Sequence, residues 1–292
     1  MQIVTENLSY VYSPKSKDMA VRALKNVNLT INEGDFFGII GHTGSGKSTF
    51  VQHLNGLIKI QKGNGKILIG DYDLTDKKCD FKSLRSKVGM VFQYPEHQLF
   101  AETVFDDVAF GIKNFFPQLK DDELKSAVAT AIETVGLNVN AIKDKSPFEL
   151  SGGQKRRVAI AGVIATRPEI LVLDEPVAGL DPKGKKDFIK LLHDLHNSFV
   201  KTIIIVSHDM NLVAENCNRI CVFSGGEVVQ VGTPKQVFLS AEKIKDLGLE
   251  LPVTAYLTER LKEEKGVIVD NDFTENSFVT SVKKALKGGE ND

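Results

Sequence analysis

The stretch that most constrains the fold is Gly41-His42-Thr43-Gly44-Ser45-Gly46-Lys47-Ser48, followed by Thr49. It fits the phosphate-binding loop pattern Gly-x4-Gly-Lys-Ser/Thr at every fixed position. The flanks matter as much as the pattern. Phe36-Phe37-Gly38-Ile39-Ile40 is a short apolar run that reads as a buried strand, and Ser48 to Leu57 reads as a helix. A strand, a glycine turn and a helix start aim successive backbone N–H groups and the helix's positive end at one point, which suits a polyphosphate. Glycines let the backbone approach phosphates closely, Lys47 can reach the β and γ phosphates, and the Ser48 hydroxyl can ligate Mg²⁺. A glycine-rich turn that binds nothing is the alternative, and it has no need of this strand–turn–helix context. The loop implies a nucleotide without saying what work the nucleotide drives.

Composition then sets limits. The 292 residues suffice for one large domain or a domain with an appendix, and 42% hydrophobic with 26% charged residues suits a soluble chain with a proper core. A formal net charge of −1 gives no support for broad nucleic-acid binding. No run approaches the ~18 apolar residues of a membrane span, and the first residues lack a signal peptide's apolar segment. Cys79, Cys217 and Cys221 show no zinc spacing, and their odd number argues against a disulfide framework. The expectation is a cytosolic chain whose membrane role, if any, is peripheral.

In chain order, Gln2 to Tyr12 and Val21 to Ile31 read as strands joined by a polar Ser13–Asp18 loop containing Pro14. Tyr10 and Tyr12, at the end of the first strand, could pack an edge or offer a ring to adenine. Gly63-Asn64-Gly65 turns into a strand at Lys66–Gly70, and a further strand at Val88–Phe92 ends at Gln93. From Tyr94 the pattern changes. Leu119 to Val135 has apolar residues at helical spacing, and Ser151 to Ala165 reads as a helix with Ser151 as N-cap. A helical insert, roughly 94–164, therefore interrupts an α/β core. The core resumes with strands Ile170–Leu173 and Thr202–Val206 and helices from Lys185 and Met210, an alternation that implies a parallel sheet.

Two further motifs bear on chemistry. Asp174-Glu175 ends an apolar strand, where a parallel sheet presents its ligand edge. There Asp174 is placed to hold Mg²⁺ and Glu175 to polarise an attacking water, both jobs that phosphoryl transfer requires. Leu150-Ser151-Gly152-Gly153-Gln154 opens a helix with two glycines, each of which weakens a helix by ~1 kcal/mol relative to alanine. That makes a second bare helix N-terminus and a second anion site. One nucleotide needs one cradle from its own chain, so the spare one implies a nucleotide bound by a second subunit.

Residues 3 to 232 resemble the ATP-binding-cassette ATPases, with a P-loop NTPase (RecA-like) core, an N-terminal antiparallel β subdomain and a helical insert. In that family Leu150–Gln154 is similar to the signature motif and Gln93 to the Q-loop glutamine, which also reaches Mg²⁺. Ala178-Gly179-Leu180-Asp181 resembles the D-loop, and His208 the switch histidine. The resemblance implies ATP and Mg²⁺ as ligands and a head-to-tail dimer with two ATPs between one subunit's phosphate loop and the other's signature. It also makes Tyr12 the adenine-stacking aromatic. Val177 stands where threonine is usual, a small departure.

A narrower resemblance rests on Val91–Phe100 (VFQYPEHQLF), Thr103-Val104 and Asp107–Gly111, with Gly41–Gly44 and Ala178–Gly184. These look like the ATPases of energy-coupling-factor transporters, bacterial and archaeal importers of vitamins or transition-metal ions, and specifically like the second of two paired ATPase subunits. The resemblance implies a heterodimer with a sister ATPase, a transmembrane coupling subunit and a membrane substrate-capture subunit, with this chain peripheral at the cytoplasmic face of the membrane. Tyr94, Pro95, His97, Leu99 and Phe100 become a candidate coupling groove; the alternative is that Leu99 and Phe100 pack the insert's own core. Past Gly232, residues 233–292 read as a helical C-terminal domain, with Phe278, Val279, Val282 and Leu286 along one face and a frayed Lys287–Asp292 end. The competing functions are a soluble cassette ATPase acting on translation or repair complexes, and a nucleotide-binding scaffold without hydrolysis. A single phosphate loop without sustained heptads argues against the first. Intact Glu175 and His208 argue against the second.

Overall fold

The computed structural model describes residues 1–12, 20–238, 241–270 and 273–288. The Ser13–Asp18 loop with Pro14 and the chain end from 289 onward lie outside the described residues. The chain opens with β1 (Ile3–Tyr12) and β2 (Val21–Ile31), and β3 (Phe36–Gly41) then runs through the glycine turn into α1 (Lys47–Leu54). Next come β4 (Lys66–Ile69), β5 (Tyr72–Asp73), α2 (Phe81–Lys87) and β6 (Val88–Val91). A 3-10 turn at Pro95–Gln98 leads to α3 (Val104–Phe115), α4 (Asp121–Thr134), α5 (Val139–Ile142) and α6 (Gly152–Ile164). Strand and helix alternate through β7 (Ile170–Asp174), α7 (Pro182–His196), β8 (Thr202–Val206) and α8 (Met210–Asn216). The hairpin β9 (Arg219–Ser224) and β10 (Glu227–Gly232) precedes α9 (Pro234–Phe238), α10 (Ala241–Asp246), α11 (Val253–Lys265) and α12 (Glu275–Gly288).

Two sheets share the core. One is antiparallel, in the order β2-β1-β4-β5; the other runs β10-β9-β3-β8-β7-β6, parallel except for β10 at its edge. The parallel strands β3, β6, β7 and β8 are buried along their whole length, as continuous apolar runs require. Their side chains alternate between two apolar clusters. Phe37, Ile39, Val172 and Ile204 pack with Ile3, Leu24 and Phe50, joining the antiparallel sheet and α1 to one face. Phe36, Ile40, Leu171 and Ile203 join the helical insert, α7 and α8 in the other. Val237, Phe238, Ile244 and Leu249, from the segment past Gly232, belong to that second cluster too.

Elements absent from the sequence reading are β5, α2, α3, α5 and the β9–β10 hairpin. β5, α2 and α5 span only 2, 7 and 4 residues, whereas α3 is a 12-residue helix that buries Val104, Val108, Ala109 and Ile112 on one face. The hairpin did carry a signal, the Gly225-Gly226 pair between two apolar runs, with both glycines at positive φ (55° and 87°) as tight hairpin turns demand. Two helix bounds also differ. α7 starts at Pro182 with Asp181 as its N-cap, because proline suits a first turn. α1 ends at Leu54, just before Gly56 takes φ +67°.

Candidate nucleotide site

β3 delivers the chain to the sheet's carboxyl edge, and the glycine turn there depends on close packing. An added Cβ on Gly41 would lie 2.2 Å from the Phe223 carbonyl oxygen, and one on Gly46 2.5 Å from that of Ala23. Both glycines also hold positive φ, +147° and +105°. The Ser45 amide donates to the His42 carbonyl at 3.1 Å and the Gly226 amide to the Ser45 carbonyl at 3.1 Å, so the missed hairpin buttresses the loop. Lys47, at the first position of α1, is buried and donates to the Gly41 and His42 carbonyls, each at 2.7 Å. Burial pulls its pKa below the usual value, against the attraction of the Glu175 and Asp174 carboxylates.

Those carboxylates come from the end of β7. Asp174 is buried and accepts a hydrogen bond from the Ser48 side chain; burial raises its pKa, the Ser48 bond opposes, Glu175 adds to the rise and Lys47 opposes. Glu175 holds φ +50°, with its amide donating to the Val206 carbonyl at 3.0 Å. His208 Nδ1 lies 2.8 Å from Glu175 Oε2, yet off the line of a hydrogen bond, and that oxygen has no aligned donor among the described residues.

A cleft of about 490 Å³ gathers Tyr12, Thr43, Gly44, Gly46, Lys47, Ser48, Thr49, Gln93, Asp174, Glu175 and His208. Residues 100 or more apart in sequence thus meet around one space. Three expected contributors are placed differently. Gly41 forms the turn beneath the cleft, the Ser45 hydroxyl is buried under it, and the His42 ring is hydrogen-bonded to the Leu247 carbonyl. For His42 and Ser45 this leaves the backbone, and not the side chain, to face a ligand. Val21, Arg22 and Ala23 also line the cleft. They escaped the sequence reading because only strand register, Tyr12 opposite Val21 and Val11 opposite Arg22, brings them there.

Tyr12 stands half-exposed at the rim, its hydroxyl 3.2 Å from Thr49 Oγ1. Behind it Tyr10 meets Tyr12 edge-on at 4.9 Å and His53 at 5.0 Å. His53 is fully buried on α1; its Nδ1 donates to the Thr49 carbonyl at 2.7 Å, and burial lowers its pKa against that bond. Nothing in the pattern around His53 marks this support.

The oxygen donors that could serve Mg²⁺ are the Ser48 hydroxyl, the Asp174 carboxylate and the Gln93 amide. No group of three His, Cys, Asp or Glu among the described residues could hold a metal alone. That donor set fits Mg²⁺, which keeps waters and substrate phosphates as its other ligands.

The second glycine pair lies outside this cleft. Ser151 caps α6, accepting from the Gln154 amide at 3.4 Å while its own amide donates to Gln154 Oε1 at 3.1 Å. Leu150 is buried, and nothing lies within 4 Å of a Cβ on Gly152 or Gly153. Asp181 caps α7 through a 2.9 Å bond from the Gly184 amide. In the segment after Gln93 one expectation needs correcting. Leu99 and Pro95 are buried, Leu99 within the helical insert's own cluster, while Tyr94, His97 and Phe100 are exposed. The reason is local: the 3-10 turn at Pro95–Gln98 buries Pro95 and gives way to an extended Leu99 that points inward, and Asp107 accepts from the Phe100 and Ala101 amides at 2.9 Å each. Phe100 instead meets Phe110 edge-on at 4.9 Å, both exposed.

The sequence pattern of the family described as ABC transporter matches residues 24–178. An energy-coupling factor transporter ATP-binding protein EcfA2 from Caldanaerobacter subterraneus subsp. tengcongensis is 46% identical over 291 residues, covering 100% of both chains. The protein of that name from Clostridium tetani is 48% identical over 286 residues, 98% of this chain and 96% of its own. Among solved structures, cbiO1 from Clostridium perfringens, part of the ABC transporter complex cbiONQ, matches with a TM-score of 0.71 at 38% identity, covering 88% of this chain and 98% of that one. The ATP-binding cassette MJ0796, a dimer in a post-hydrolysis state with ADP and Pi, matches with a TM-score of 0.70 at 30% identity over 80% of this chain and 98% of its own.

Proposed function

This chain belongs to the ABC transporter family of ATPases, and we propose from that premise that it powers an energy-coupling-factor importer as one of two paired ATPase subunits. The observation that carries the pairing is the second glycine helix start, which stands open and apart from the chain's own nucleotide cleft. In this reading, Ser151–Gln154 closes over ATP held on a sister ATPase, and the sister's equivalent closes over ATP held at Lys47. The alternative of a translation or repair ATPase has no support from these relatives.

Lys47 exchanges its two carbonyl acceptors for β and γ phosphate oxygens, and the loop's amides hold the remaining phosphate charge. Tyr12 stacks the adenine, positioned by Thr49, Tyr10 and His53. Ser48, Asp174 and Gln93 would hold Mg²⁺, which would neutralise phosphate charge there. Glu175 accepts the proton of the attacking water, and its Oε2, which has no aligned donor among the described residues, is placed for that acceptor role. His208, at the exposed rim beside Glu175, donates toward the γ phosphate.

Tyr94, His97 and Phe100, extended by Phe110, form the surface on which a transmembrane coupling subunit docks, while Leu99 and Pro95 support it from beneath. A membrane substrate-capture subunit completes the assembly and selects the vitamin or metal ion. No helix among the described residues is long and apolar enough to cross a membrane, so membrane partners supply the passage at the cytoplasmic face. Glu175→Gln tests the assignment. It should lower the turnover of this chain's site ~10²–10⁴-fold, the range for a general base, with ATP still bound. Measured in the assembled transporter beside the matching sister-subunit variant, near-normal turnover of the double variant would reject Glu175.

A further inference from the structure

α6 carries two adjacent arginines that face different ways. Arg157 donates through Nη1 to the Val135 carbonyl at the end of α4, at 3.4 Å. Arg156 is buried and turns toward the nucleotide side of the chain. Its Nη1 donates to the Ala178 carbonyl at 3.0 Å and its Nη2 to the Pro176 carbonyl. These carbonyls flank Val177 in the turn that follows Glu175. The turn is closed by the Ala178 amide on the Glu175 carbonyl and the Leu180 amide on the Val177 carbonyl, each at 3.2 Å, and it runs directly into Asp181. Glu175 itself holds φ +50°, a conformation a non-glycine residue keeps only where its surroundings enforce it. A planar guanidinium can hold two carbonyls at once, whereas an ammonium cannot reproduce that fork. Burial lowers the Arg156 pKa, and the Glu96 carboxylate, on the 3-10 turn packed against α6, opposes that shift.

We propose that Arg156 is a positioning residue that ties the Ser151–Gln154 helix start to the Glu175–Asp181 turn. Through it, closure of that helix start on the sister subunit's ATP sets the placement of Glu175 at this chain's own ATP. The proposal rests on the reading of Glu175 as the catalytic carboxylate and names the link between the two sites inside one chain. Four helical residues, Gly152 to Lys155, separate Ser151 from Arg156, so a shift at the helix start reaches the guanidinium without passing through a loop.

The test uses Arg156→Gln and Arg156→Lys in the full chain, alone and paired with the sister ATPase. In the isolated chain the amides of Ala178 and Leu180 should exchange about tenfold faster or more in Arg156→Gln, as local opening becomes easier. Amides in the middle of α6 should keep their wild-type rates, and calorimetry should find MgATP affinity within about twofold of wild type. In the pair, kcat should fall about 10²-fold, the scale of a ~1 Å misplacement, while KM moves less than about threefold. Cooperativity in ATP should disappear, and Arg156→Lys should recover part of kcat. A purely structural role would instead lower the active fraction and loosen α6 itself. Unchanged exchange at Ala178 and Leu180 overturns the link whatever Glu175 does. A loosened turn with wild-type kcat and cooperativity overturns the coupling, and near-normal turnover of Glu175→Gln overturns the reading beneath it.

Discussion

At the start of α1 the glycines are crowded, and at the start of α6 they are bare. A Cβ on Gly41 or Gly46 would fall within 2.5 Å of a backbone oxygen of this same chain, whereas Gly152 and Gly153 have nothing within 4 Å. The first set is required by the chain's own fold: β9 and β2 approach the loop so closely that only glycine fits, and positive φ adds to the demand. Among the described residues nothing packs against the second set. Alanine would make a better helix there. Two glycine helix starts in one sequence therefore differ in what holds them, the first fixed by its own chain and the second left open.

Breaking the first cradle should cost most. Gly46→Ala forces a Cβ against the Ala23 carbonyl in a left-handed backbone, so we expect about 3 kcal/mol of lost stability from strain and overpacking. Thermal unfolding of the nucleotide-free chain measures it, and a loss below about 0.5 kcal/mol, the scale of ordinary surface changes, would show that the crowding is illusory. Lys47→Ala probes the same cradle chemically. Losing a charged donor should weaken MgATP binding by about 1.5–3 kcal/mol, read by calorimetry, with the fold intact. By contrast, Gly153→Ala should leave the isolated chain as stable as wild type or up to ~1 kcal/mol more stable. Destabilisation on the scale of Gly46→Ala would erase the distinction between the two helix starts.

Much of the first cradle could be read from sequence because its chemistry is local. Gly41 to Thr49 is contiguous, and Asp174-Glu175 ends an apolar run that gains its meaning as a strand from the phosphate loop before it. What stayed hidden depends on register or distance. Arg22 reaches the cleft through pairing of β1 with β2, and His42 is taken up by Leu247, more than 200 residues away. His53 reads as one more helical residue until Tyr10 is seen edge-on against it, with Tyr12 edge-on to Tyr10 in turn. Leu99 shows the opposite failure. An apolar run after Gln93 reads as one surface, but a 3-10 turn divides it into a buried and an exposed half.

The smallest effect is electrostatic and again belongs to the first cradle. The Asp174 pKa is raised by burial despite the Ser48 bond. A carboxyl raised in the folded state favours folding below its unfolded pKa and loses that contribution as pH rises through the folded one. Asp174 therefore weakens the nucleotide-free fold once it ionises. Asp174→Asn should raise the melting temperature at pH 7, and the gain should vanish as pH falls through the ordinary carboxylate range. A lower melting temperature at pH 7 would mean that the Ser48 and Lys47 contacts outweigh burial. The first turn of α6 carries no acidic residue, so Ser151→Ala should show no such pH dependence.

The central claim is that the bare helix start serves a nucleotide held by another subunit. Gly153→Asp tests it directly, because an aspartate in a helix's first turn suits the fold while repelling phosphate. The measurement is sedimentation of the chain with its sister ATPase, in a Glu175→Gln background that retains MgATP. The account predicts that Gly153→Asp abolishes MgATP-dependent association while the isolated chain binds MgATP within about twofold of its parent. Association that survives the substitution, or MgATP binding lost from the isolated chain, would contradict it.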